Sequence, residues 1–169
     1  MKVAAMHLTV AALSMLPLIA QQPSASIDPP EGAKMALQAK GDGVQIYTCS
    51  QTPEGMKWTL KGPEARLLDA STRPIGTHFA GPTWKLNDGG LVQGELMANK
   101  PSPDSGNIPW LLLRAKEGTA AGSLATVAFI RRSETHGGVA PATGCKSPKD
   151  ISKTASVPYT ATYSFYSAK

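Results

Sequence analysis

The sequence has little of what usually announces a chemistry. Among its 169 residues are two cysteines and three histidines, with no C-x-x-C, H-x-H or H-x-x-x-H spacing. That removes the common thiol–disulfide and zinc signatures, and no metal or cofactor is expected. There is no G-x-S-x-G elbow, no G-x-G-x-x-G and no G-x-x-x-x-G-K, so neither an elbow-type serine nucleophile nor a nucleotide phosphate loop has support. Beyond the first twenty residues no stretch is apolar enough to span a bilayer. Basic residues outnumber acidic ones, giving a formal net charge of +5, but they are scattered. Their densest places are Arg131-Arg132 and the set Lys146, Lys149 and Lys153. A nucleic-acid binder concentrates such charge in a stripe interleaved with aromatics, so no nucleic-acid partner is expected.

What is present begins with an export signal. Lys2 supplies a minimal charged start, Val3 to Ala20 is mostly apolar, and Gln21-Gln22-Pro23-Ser24 turns polar directly afterwards. Residues 1–20 therefore read as a signal peptide cut after Ala20, with Ala25 as the alternative. An uncleaved anchor is the rival reading, and His7, Thr9, Ser14 and Pro17 weaken it. The mature chain, with no transmembrane segment, is then secreted or periplasmic. In that oxidising setting the even cysteine count predicts one disulfide, Cys49–Cys145. A loop of roughly a hundred residues closed in this way restricts the unfolded chain by about 4–5 kcal/mol.

Residues 21–34 read as a flexible leader and residues 35–169 as one domain. Residues 32–40, containing Met35, Ala36 and Leu37, fit a short helix ended by Gly41 and Gly43. From there the period is two. Strands are expected at Val44–Cys49, Met56–Lys61 with Met56, Trp58 and Leu60 inward, Glu64–Asp69, Thr83–Leu86 and Leu91–Met97. Further strands are expected at Trp110–Leu113, buried on both faces, at Thr126–Arg132, and at Tyr159–Tyr166 with Tyr159, Ala161, Tyr163 and Phe165 on one face. About seven or eight short strands without room for crossover helices predict an all-β, single-domain antiparallel sandwich or barrel.

The most unusual stretch is Gly76-Thr77-His78-Phe79-Ala80-Gly81-Pro82-Thr83-Trp84, which reads as a constrained loop entering a strand. Two readings of it stay open: Trp84 is core and His78 pins the loop through a backbone carbonyl, or both face a ligand. Trp58 and Trp110 read as core. Among the carboxylates, Glu64, Asp88, Glu95 and Glu134 are candidates to converge in space.

An ordered set of motifs runs through the chain. It comprises Gly43-Val44-Gln45-Ile46-Tyr47-Thr48-Cys49, Trp58-x-Leu60-x-Gly62-Pro63-Glu64-Ala65, Gly76-x-His78-x-Ala80-Gly81-Pro82-Thr83-Trp84 and Trp110-Leu111-Leu112-Leu113. Thr135-x-Gly137-Gly138-x-Ala140-Pro141, Cys145 and Pro158-Tyr159-x-Ala161-x-Tyr163-x-Phe165-Tyr166 complete it. In these the chain resembles the exported bacterial and fungal family called domain of unknown function 3455, from about Gly41 to Tyr166. Asp88-Gly89-Gly90 departs from the pattern, where serine is expected third. The resemblance implies an exported compartment and a one-domain boundary, and no reaction.

The expected function is a non-catalytic exported module that binds a small molecule or a cell-envelope glycan. Trp84 would be its stacking platform, with His78, Asp88 and Glu64 as polar contacts and no catalytic residue assigned. The alternatives are a secreted hydrolase using Glu64, His78 and Asp88 as acid and base groups, and a structural exported protein without a ligand.

Overall fold

A strand with period-two alternation has one face to bury and two edges to pair, and closing a sheet on itself satisfies both demands at once. The computed structural model describes residues 26–169. The expected signal peptide and residues 21–25 of the leader lie outside the described residues. Among those described, eight strands form one closed antiparallel barrel in which each strand pairs with the next and the last returns to the first. They are β1 (Lys34–Thr52), β2 (Gly55–Leu68), β3 (Pro74–Phe79), β4 (Thr83–Leu86), β5 (Leu91–Lys100), β6 (Trp110–Ala115), β7 (Val127–Gly137) and β8 (Thr154–Ser167).

Closure rests on β1, which is long enough to pair with β2 along one edge and with β8 along the other. The short helix expected near residues 32–40 is instead the start of this strand. Leu37 and Gln38 pair with Phe165 and Ser164, and the described residues contain only 3₁₀ turns besides strands. Local helix propensity lost to the edge of β8, which needed a partner. The expected break at Gly62-Pro63 also disappears, because β2 runs through it while the register slips opposite Ile46 and Tyr47. Such a slip is a bulge that lets a long strand bend around a barrel.

The inward rows interlock by size. Trp84, Tyr163, Phe165, Leu67 and Ile130 are almost wholly buried and fill the lumen. Glycines stand opposite the largest of them: a Cβ on Gly41 would lie 2.5 Å from the Tyr163 ring, and one on Gly94 would lie 3.1 Å from the Trp84 ring. The barrel is therefore a packed core. The inward face of β8 is the one expected, with Tyr159, Ala161, Tyr163 and Phe165 all buried.

Other facing assignments differ. On β2, the register sets Trp58 and Leu60 on the face of Cys49 and Tyr47, as expected, but Leu60 is 56% exposed and Met56 and Trp58 are only partly buried, while Ala65 and Leu67 are buried beyond the bulge. Trp58 donates its indole Nε1–H to Thr143 O at 2.9 Å, so the loop before Cys145 covers it. On β6, Leu112 and Leu113 are buried but Trp110 and Leu111 only partly so. Cys49 and Cys145 are bonded, with their Cα atoms 5.4 Å apart, and the bridge fastens the loop between β7 and β8 to β1. Asp150 stiffens that loop by accepting from the Lys146 and Ser147 backbone N–H groups and pairing with Lys153.

Candidate functional site

The stretch from Gly76 to Trp84, expected as a loop, is the β3–β4 hairpin. Its register sets His78 opposite Trp84 and Phe79 opposite Thr83. Strand alternation then decides each side chain's direction: His78 and Trp84 go into the lumen and Phe79 to the outer wall. His78 and Trp84 are 2% and 1% exposed, so Trp84 is not an exposed platform. Their rings stack with centroids 4.4 Å apart and planes 8° apart, and Tyr163 packs edge-on against both.

His78 Nδ1 lies 2.9 Å from Thr83 O. A carbonyl only accepts, so Nδ1 carries a proton. Burial in the aromatic cluster pulls its pKa down to about 4, against the opposing effect of the Thr83 carbonyl and with help from the Arg132 charge. The same burial pushes the Tyr159 and Tyr163 phenols above their usual range, and their hydroxyls lie 3.1 Å apart. Gln45 and Trp84 carry polar atoms with no partner among the described residues.

The remaining expected residues are not gathered around His78 by any hydrogen bond. Asp88 sits in the β4–β5 turn, where its Oδ1 accepts from the Gly90 N–H and from the Ser123 hydroxyl. These bonds hold its carboxyl below the usual range, and the role is turn capping. Glu64 stands on the outer wall of β2, opposite Phe79 of β3.

Glu64 and His78 do border one common feature, a hollow of about 540 Å³ over β1, β2 and β3. Gly43, Ala65 and His78, register partners across the three strands, form its floor. Asp42, Glu64, Arg66, Thr77 and Phe79 form its walls. Arg66 Nη2 meets Asp42 Oδ2 at 3.2 Å, and the Phe79 ring is 39% exposed. A second hollow of about 130 Å³ adjoins along Gly62, Pro63 and Ala80 and shares Glu64 and Phe79 with the first.

Asp42, Arg66 and Phe79 escaped the sequence reading. Each is unremarkable alone, and only the register lines them up. The available signal was the outward parity of Phe79, one residue from an inward His78. No group of three or more His, Cys, Asp or Glu among the described residues is arranged to hold a metal ion.

Residues 29–167 match the sequence model of the family described as protein of unknown function (DUF3455), and the chain belongs to that family. No curated protein and no solved structure matches the chain.

Proposed function

We propose that this family member is an exported, non-catalytic binding module that holds a small molecule or a cell-envelope glycan on the outer wall of β1, β2 and β3. The observation that carries this reading is the pair of adjoining hollows sharing Glu64 and the exposed Phe79 ring. An aromatic face offers a sugar ring an apolar platform, and Asp42, Glu64, Arg66 and Thr77 supply acceptors and donors for its hydroxyls. Phe79 takes the part first expected of Trp84. Export is supported by the disulfide, which persists in oxidising compartments.

The hydrolase reading has less support. General acid–base catalysis needs its groups within hydrogen-bond reach of one reacting centre. Here His78 is engaged inside the barrel with Thr83, Asp88 caps a turn, and Glu64 faces outward.

The test uses insoluble peptidoglycan and soluble N-acetylglucosamine oligosaccharides as probes. Wild-type protein should be retained, and Phe79→Ala and Glu64→Gln should each weaken retention while leaving unfolding stability within about 0.5 kcal/mol, as for surface changes. Undiminished retention by both variants would refute the site, and failure of every such probe to bind would favour a structural protein without a ligand.

A further inference from the structure

A third hollow, of about 380 Å³, lies on a different stretch of wall, where the described N-terminal residues meet β5, β6 and β7. Its lining is charged and aromatic: Asp28, Lys100, Trp110, Arg131 and Glu134, with Ile27 and Ser133 buried at its edge. The register explains the wall. Lys100 pairs with Trp110 across β5 and β6, and Leu112 pairs with Arg131 across β6 and β7, so Trp110 and Arg131 emerge on the same outer face.

Two features set this hollow apart. First, an internal carboxylate already occupies its arginine: Asp28 Oδ1 lies 3.3 Å from Arg131 Nη1, and the Asp28 side chain is 75% exposed. A single exposed contact at that length is easily exchanged for another anion. Second, Trp110 Nε1 and Arg131 Nε are buried without a partner among the described residues, which leaves two N–H donors of this wall unpaired. Glu134 already accepts from the Thr162 hydroxyl at 2.7 Å, whereas no ion pair involves Lys100 among the described residues.

We propose that this hollow is a binding site for a sugar-sized carboxylate, and that Asp28 closes it as a built-in competitor. An incoming carboxylate takes Arg131 as a two-pronged partner, a geometry guanidinium favours, and Lys100 adds a second positive charge. Release of Asp28 frees the guanidinium to turn its Nε–H toward the ligand. The Trp110 ring supplies an apolar flank for the rest of the molecule. Occupancy is thereby coupled to detachment of the segment Ser26–Asp28, whose Ser26 and Asp28 already bond to each other.

The experiment titrates ¹⁵N-labelled protein with D-galacturonate and with D-galactose, which share a ring and differ in the carboxylate, and follows the Trp110 indole N–H resonance. Galacturonate should shift it and bind at least ~tenfold more tightly than galactose, the scale of one charge-assisted contact. Asp28→Asn should tighten galacturonate binding several-fold by removing the competitor, while Arg131→Gln and, separately, Lys100→Ala should weaken it. Equal binding of the two sugars, no tightening in Asp28→Asn, or an unmoved Trp110 resonance in that variant would each overturn the proposal. The outer-wall site is read at Phe79 and Glu64, so either reading can fail without the other.

Discussion

His78 offers a measurable consequence of burial. Its pKa is about 4 in the folded protein, and an unfolded chain returns it to about 6.5. Between these values the unfolded state binds the proton and the folded state does not, so stability falls as pH drops from about 6.5 to 4. Below that window the group contributes no further loss. A difference of roughly 2.5 units at 1.36 kcal/mol per unit amounts to about 3 kcal/mol, and with the ring 2% exposed, solvent screens little of it.

The perturbation that isolates this effect is His78→Phe, which keeps a ring against Trp84 but cannot titrate. At neutral pH it forfeits the bond to Thr83 O and strands that carbonyl, costing about 1–3 kcal/mol. Urea unfolding curves followed by tryptophan fluorescence at pH 7.5 and pH 4 give the test. Wild type should lose about 3 kcal/mol more than the variant on acidification, so the gap at pH 7.5 closes or reverses at pH 4. Contributions from Asp69, Asp88 and Asp150, whose carboxyls are held low by their own partners, are common to both proteins and cancel. Parallel losses in the two proteins would refute the assignment of His78 as a neutral core histidine.

Gly43→Ala should destabilise by about 1–3 kcal/mol, because the new Cβ would lie 2.5 Å from the Ala65 Cα and press on the Glu64 carbonyl, backbone that yields poorly; an unchanged urea midpoint would contradict it. Reducing Cys49–Cys145 should lower unfolding stability by about 3–5 kcal/mol given the 96-residue separation, whereas detection of free thiols in the native, unreduced protein would show that the bridge does not form.

Much of the barrel is legible in the order of residues. Period-two alternation marks β8 with its correct inward face, because that face is long, aromatic and uninterrupted. The cysteine pair is legible from count alone, since two cysteines allow one pairing. The β3 strand is not, because Gly76 and the Ala80-Gly81-Pro82 turn dilute a six-residue element until it resembles a loop. Nor is the true face of β1, where Gln45 and Tyr47 go inward and Ile46 does not. Both faces of β1 mix apolar and polar residues, and only closure against β8 and β2 sets the parity.

The site divides in the same way. Composition singled out the hairpin around His78, and sequence left open whether that histidine pins the chain or meets a ligand. The register of β3 against β4 sends it inward, where burial keeps the ring neutral and the Thr83 carbonyl orients it. Sequence by itself determined the class of fold, the disulfide partners and the inward face of β8. Tertiary structure decided that the sheet closes, which side chains face in, and which distant residues share a hollow. The physical reason is that alternation is local and survives in the sequence, whereas register couples strands far apart in the chain and is settled only when every edge is paired.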